Sequence, residues 1–226
     1  MNIEDIVDIS QPIYDECPGN PAFPKPRIRV AMEHKKEGWR TEHFDYYNHI
    51  GTHIDAPFHR FQDGKKIDEM QPELFTGPAI PVDLYDKKEK EPITVDDLLP
   101  YEHILKEGDI LLFCTGWGEL RSDSDRYLNR SPYLSPDAAR WCVARKVRGV
   151  GIDHFSIGGT ESDIVGVVHE ILLSGKVWIA EECFFPKKIL RKNKWTFIGF
   201  PILLKGGSGA PVRAVLIDEG MKGERQ

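Results

Sequence analysis

Hydrophobic and polar positions alternate at the start of the chain, where Ile6-Val7-Asp8-Ile9-Ser10 predicts a short strand. The pattern then breaks at Pro12, Pro18, Gly19, Pro21, Pro24 and Pro26. Prolines remove backbone donors and fix φ, so this stretch is predicted to be a long structured loop. Residues 41–50 resume an alternating, aromatic-rich strand that ends at the Asp63-Gly64 turn signal. Residues 80–84 and 109–115 are apolar runs suited to buried strands, with a solvated charged run at 87–91 and a short helix at 94–99 between them.

Farther on, Ser135-Pro136-Asp137 is a helix start, with a hydroxyl cap, proline in the first position and an acid in the first turn. That helix should run to about residue 146 and feed a strand at 147–153. Ser162 or Asp163 caps a second helix with an apolar face of Ile164, Val167, Val168, Ile171 and Leu172, stopped by Ser174-Gly175. Strands follow at 177–182, 195–204 and 212–217, the last two separated by Gly206-Gly207-Ser208-Gly209. Some strands arrive after helices and others pair without them, which predicts an α/β fold with a mixed sheet in one domain spanning residues 1–226.

Composition narrows the function classes. A net charge of -6 offers no basic footprint for nucleic acid, and no apolar run approaches the length of a membrane span. The acidic opening Met1 to Ile6 lacks the basic start and apolar stretch of a secretory signal, so a cytoplasmic location is expected. Cys17, Cys114, Cys142 and Cys183 form no Cys-x-x-Cys pair, which points to reduced thiols rather than a zinc knuckle or redox motif.

The chemistry concentrates in His49-Ile50-Gly51-Thr52-His53-Ile54-Asp55-Ala56-Pro57-Phe58-His59, with three imidazoles and one carboxylate. Imidazole and carboxylate are the usual ligands of zinc and manganese. A straight strand would separate His49 from His53 by four rises of about 3.3 Å, too far to share one ion. A helix is ruled against by Gly51, by β-branched Thr52 and Ile54, and by Pro57. The segment is therefore expected to bend or bulge at Gly51, folding His49 back beside His53 and Asp55 and leaving His59 at the rim, too far along to ligate. Downstream, His169 lies on the flank of the second helix's apolar face, with Glu170 pointing to water. Glu181 continues the stripe of Val177 and Ile179, whereas Glu182 shares parity with Trp178 and Ala180. An acid on a buried face needs a partner, a cation or metal being the obvious one; the alternative is a histidine capped by a neighbour and a Glu at the exposed end of the strand.

These residues resemble a known family. His49-x-Gly51-Thr52-His53-x-Asp55-x-Pro57-x-His59 is similar to the defining motif of the cyclase-like metal-dependent hydrolases, which include bacterial kynurenine formamidases and isatin hydrolases. Asp8-Ile9-Ser10-x-Pro12, Thr115-Gly116-Trp117, Gly151-Ile152-Asp153-x-x-Ser156 and Gly209-x-Pro211-Val212-Arg213 resemble its other landmarks in the same order. The resemblance implies a swivelling β/β/α architecture, a partly closed sheet and one or two zinc or manganese ions. It implies that His49, His53 and Asp55 hold a first metal, that Asp55 bridges to a second completed by His169 and Glu181, and that His59 shuttles protons. A homodimer or homotetramer is implied as well. Two positions depart from the family: Cys17 stands where the formamidases carry a tryptophan, and Gly158 where a second acid is common.

The expected activity is hydrolysis of a small amide, lactam or lactone by a metal-activated hydroxide, with His59 as proton shuttle. The alternatives are a metal-dependent lyase or dehydratase using His59 as base, and a non-catalytic protein that binds a metal or a small acid. Arg213 is equally suited to a substrate carboxylate or to a structural ion pair.

Overall fold

The computed structural model describes residues 6–160 and 162–218. Residues 1–5 of the acidic opening lie outside this set, as do Glu161 and the side chain of Ser162; of the two caps expected for the second helix, the Ser162 side chain therefore lies outside the described residues, and Asp163 stands within the first helical turn rather than at the cap.

Thirteen strands occur among the described residues: β1 (Ile6–Asp8), β2 (Arg27–Met32), β3 (Thr41–Asp45), β4 (His53–Asp55), β5 (Thr76–Asp83), β6 (Pro92–Ile93), β7 (Ile110–Cys114), β8 (Tyr133–Leu134), β9 (Gly149–Ile152), β10 (Trp178–Glu181), β11 (Trp195–Ile198), β12 (Gly209–Pro211) and β13 (Val215–Ile217). The α-helices are α1 (His34–Glu37), α2 (Val95–Leu98), α3 (Ser124–Asn129), α4 (Pro136–Ala144) and α5 (Ser162–Ser174). The main sheet has nine strands in the order β1-β13-β11-β5-β7-β9-β10-β4-β12. The central β5, β7, β9 and β10 are parallel, and the flanking strands are antiparallel. The fold is thus mixed α/β, as the alternation of elements predicts.

The sheet is covered on both faces. In β7, Leu111 and Phe113 pack with Ala138, Cys142, Val168 and Leu172 of the two long helices. Ile110, Leu112 and Cys114 point the other way, into a core shared by Val7 and Leu216 from one edge and by Ile54 and Ala210 from the opposite edge. Residues from both ends of the strand order meet in one cluster because the sheet curls into a half-barrel.

Several expected boundaries shift. Residues 41–50 are not one strand running into the histidine cluster: β3 ends at Asp45 and pairs with β2, which the sequence pattern missed, in a separate two-stranded sheet with mostly exposed side chains. Residues 199–204 leave β11 and expose Phe200, Ile202 and Leu203. On α5, Val168, Leu172 and Leu173 are buried and Val167 is not, so the apolar face is rotated from the predicted one. The helix start at Ser135 forms as read, its Oγ accepting the Ala138 amide at 3.2 Å.

Candidate metal centre

Gly51 sets the local geometry. Its φ of +60° lies in the left-handed region, and a Cβ there would come within 2.6 Å of Ile13 Cγ1. The chain turns at this point and enters β4, which is held between β10 and β12. Thr52 locks the turn: its Oγ1 accepts the Gln11 amide at 2.7 Å and donates to the Glu182 carbonyl at 2.6 Å. The turn brings His49 Nδ1 to 2.7 Å from Asp55 Oδ1.

Strand register supplies the second group of side chains. His53 lies directly opposite Glu181 on the antiparallel β10, and their Nε2 and Oε2 are 3.7 Å apart. His53 Nε2 is also 3.5 Å from Asp55 Oδ1. From α5, His169 presents Nε2 at 3.1 Å from Glu181 Oε1 and 3.6 Å from Asp55 Oδ2. The Ile157 amide donates to Glu181 Oε1 at 2.7 Å.

Backbone carbonyls fix the ring orientation. His53 Nδ1 faces the Gly51 carbonyl at 2.8 Å, and His169 Nδ1 faces the Val165 carbonyl at 2.7 Å. A carbonyl only accepts, so both Nδ1 atoms donate, and in the neutral rings the Nε2 lone pairs are directed at the acids. His53 Nε2 and Asp55 Oδ2 are buried yet have no hydrogen-bond partner. An unsatisfied buried polar atom costs about 1–3 kcal/mol. A divalent cation among these nitrogen and oxygen donors would relieve both, so the residues fit a metal of the zinc or manganese type.

Loss of solvent opposes charge on His49, His53, Asp55, His59 and His169. Burial alone would raise the Asp55 pKa, but His59 and His49 hold it far below the usual carboxylate range. Against its own burial, His169 is raised to about 9 by Glu181 and Asp55. His53 is shifted downward chiefly by its burial, and His59, whose side chain is exposed at the cleft edge, is shifted downward chiefly because neighbouring protein atoms displace water from one side of its ring.

The structure brings His49, His53, Asp55, His169 and Glu181 together. It also corrects one expectation: His59 is within ligating reach, because ring atoms of His49 and His59 and a carboxylate oxygen of Asp55 lie within 4.8 Å of one another. The 3-10 turn at Pro57–His59 folds His59 back, with its ring centroid 4.0 Å from that of His49. Arg213 sits elsewhere, paired with Asp8. Sequence reasoning gave no role to Ser208, whose Oγ is 2.8 Å from His49 Nε2, or to the pair of Arg121 with Glu182 at 3.0 Å. Parity had put Glu182 on the face opposite Glu181, and because that face is also buried Glu182 is pushed up to about 8, with Arg121 opposing the shift. Arg121 also donates to the Pro12 carbonyl at 2.5 Å, tying the proline-rich loop to the site. Above the cluster opens a cleft of about 250 Å³ whose walls include Asn20, Phe23, His59, Arg60 and Ser156.

The Cyclase family model, described as "Putative cyclase", matches residues 7–158. The chain belongs to the Cyclase family. That match contains the His49 to His59 segment and ends before His169 and Glu181. Similarity to whole proteins extends over both: the kynurenine formamidase of Bacillus cereus is 26% identical over 220 residues, covering 96% of this chain and 99% of the relative. The kynurenine formamidase of Bacillus cytotoxicus matches to the same extent. Among solved structures, isatin hydrolase A from Ralstonia solanacearum superposes with a TM-score of 0.83 at 23% identity, covering 95% of this chain and 92% of that one, and shows the shared fold. A structure described as a "predicted metal-dependent hydrolase from Bacillus stearothermophilus" aligns with a TM-score of 0.76 at 27% identity, covering 94% of this chain and 98% of that one.

Proposed function

We infer that this Cyclase-family chain is a metal-dependent hydrolase of small amides, in the manner of an arylformamidase, with lactams and lactones as further substrates. The observation that carries the reading is the pair of buried, unpartnered atoms His53 Nε2 and Asp55 Oδ2, facing His169 and Glu181. Whole-length similarity to kynurenine formamidases supports the choice of reaction.

His49, His53 and Asp55 would hold one zinc or manganese ion, and Asp55, His169 and Glu181 a second. When bound, a divalent ion polarises a carbonyl and lowers the pKa of water from about 15.7 to near 7. The residues of the chain do the rest. The Gly51 and Val165 carbonyls hold the His53 and His169 rings in one tautomer and one orientation. His59 stands exposed at the edge of the cleft, beside His49 and Asp55 and open to an incoming water. It takes a proton from the attacking water and returns it to the leaving nitrogen or oxygen.

We assign the active form to a homodimer or homotetramer. The β2–β3 hairpin supports this, since an isolated two-stranded sheet is marginal in water and this one exposes Val30, Met32 and Phe44. The four free, buried cysteines fit the reducing cytoplasm. No helix among the described residues is long and apolar enough to cross a membrane.

The test is elemental analysis of protein purified without added metal, then chelation, reloading with zinc or manganese, and assay on an aryl formamide, a lactam, a lactone and a hydroxy acid. Metal-dependent cleavage of the formamide or lactam is expected. Dehydration of the hydroxy acid alone would replace hydrolysis by a lyase reaction, and turnover of none would leave a binding protein.

A further inference from the structure

The walls of the cleft include Asn20, Arg60, Glu181 and Glu182. Its acids are engaged: Glu181 accepts from the Ile157 amide and faces His169, and Glu182 is paired with buried Arg121. Arg60, the residue after His59, is the one permanent cation among the described residues that line the cleft. Its guanidinium reaches across to α5 and lies over Gly166, where a Cβ would be 3.5 Å from Nη2. A single polar contact holds it there, from Nη2 to Glu170 Oε2 at 3.3 Å. The Arg60 and Glu170 side chains are 48% and 55% exposed, so solvent screens the pair and leaves it exchangeable.

A guanidinium offers five N–H donors in a planar fork that matches a carboxylate in bidentate fashion. With Nη2 alone engaged, Nε and Nη1 of Arg60 remain free to donate. Asn20 adds another donor: its Oδ1 accepts the Ala22 amide at 2.9 Å, which leaves the Nδ2 group for the cleft it lines.

We propose that Arg60 is a specificity-determining residue that receives a carboxylate of the substrate, so that the preferred substrates are small amides or lactams bearing an anionic group. The proposal rests on the amide-hydrolase reading for the identity of the scissile bond, while the anion contact itself is a matter of binding. Lysine would keep the charge but lose the planar fork, and Glu170 is the competitor that an incoming carboxylate displaces.

The experiment uses the zinc-loaded full chain with two probes of similar shape, 2-formamidobenzoate and formanilide, read by calorimetric binding and separately by hydrolysis. The native chain should bind the anionic probe about tenfold or more tightly than the neutral one. Arg60→Ala should bring that ratio close to one, Arg60→Lys should leave an intermediate ratio, and Glu170→Gln should raise it by freeing the guanidinium. No preference in the native chain, no measurable binding of the anionic probe, or a preference that survives Arg60→Ala would overturn the assignment. Arg60-dependent binding without hydrolysis of either probe would sustain it and instead defeat the amide-hydrolase reading.

Discussion

The two halves of the candidate metal centre are built by different means. The first half, His49 to Asp55, is local: one turn at Gly51 and a three-residue strand bring three donor side chains together. The second half, His169 and Glu181, is assembled across the fold, from the helix that covers one face of the sheet and from the strand that pairs with β4. Asp55 belongs to both, with one oxygen toward His49 and the other toward His169. The contrast teaches that a short segment can specify a cation site only where its backbone can reverse, and that a shared acid lets the sheet complete it.

Asp55 should therefore be the most sensitive position. Asp55→Asn is expected to abolish bound metal and lower kcat/KM by about 10³-fold or more, measured by elemental analysis beside steady-state kinetics. His169→Ala sharpens the comparison: it should weaken one equivalent of metal and leave an ion at the His49–His53 half. If His169→Ala strips all metal, the two halves are one indivisible site.

Next in size is His59→Ala, expected to reduce turnover by about 10² to 10⁴ with metal content unchanged. Loss of metal in this variant would move His59 from proton transfer to ligation, an outcome its position beside His49 and Asp55 makes worth measuring.

His154 provides a contrast to His53. Both are buried, but neither ring nitrogen of His154 has a partner, and burial depresses its pKa to about 3. The unfolded chain takes up that proton near pH 6.5, whereas the folded chain does so only near pH 3. The stability conferred by the neutral ring is thus fully present above pH 6.5 and is lost as the pH falls toward 3. By pH 4.5 the loss attributable to His154 should be about 2–3 kcal/mol. Urea unfolding of chelated protein should show this slope in the native chain and a flatter one in His154→Leu. Equal slopes would mean that the ring is not held neutral.

The smallest expected effect concerns the turn itself. Gly51→Ala places a side chain in a left-handed conformation and against Ile13, and should cost about 1–3 kcal/mol of stability together with weaker metal binding. Unchanged metal affinity would show that the cross-strand half alone positions Asp55.

Much of the central sheet was legible because buried parallel strands must be apolar throughout, as residues 110–114 are. The hairpin at 27–45 was not: its prolines lie just upstream, and its pairing stands apart from the main core. The stretch at 199–204 read as strand because it is apolar, yet its large side chains are exposed, so hydropathy alone misassigned it. The glycine at 158 is explained by packing, since a Cβ there would meet the Val165 backbone at 2.5 Å.

The sequence by itself determined the local donors. Histidines at 49 and 53 and an aspartate at 55 cannot share an ion in a straight strand, so a glycine between them dictates a reversal. Tertiary structure decided what faces those donors. The order of β9, β10 and β4 set Glu181 opposite His53, the packing of α5 delivered His169, and burial of both sheet faces turned Glu182 into the partner of Arg121 rather than a solvated acid. Spacing along the chain governs contacts within a turn, whereas contacts between strands depend on register and curl, which come from the packing of the whole core.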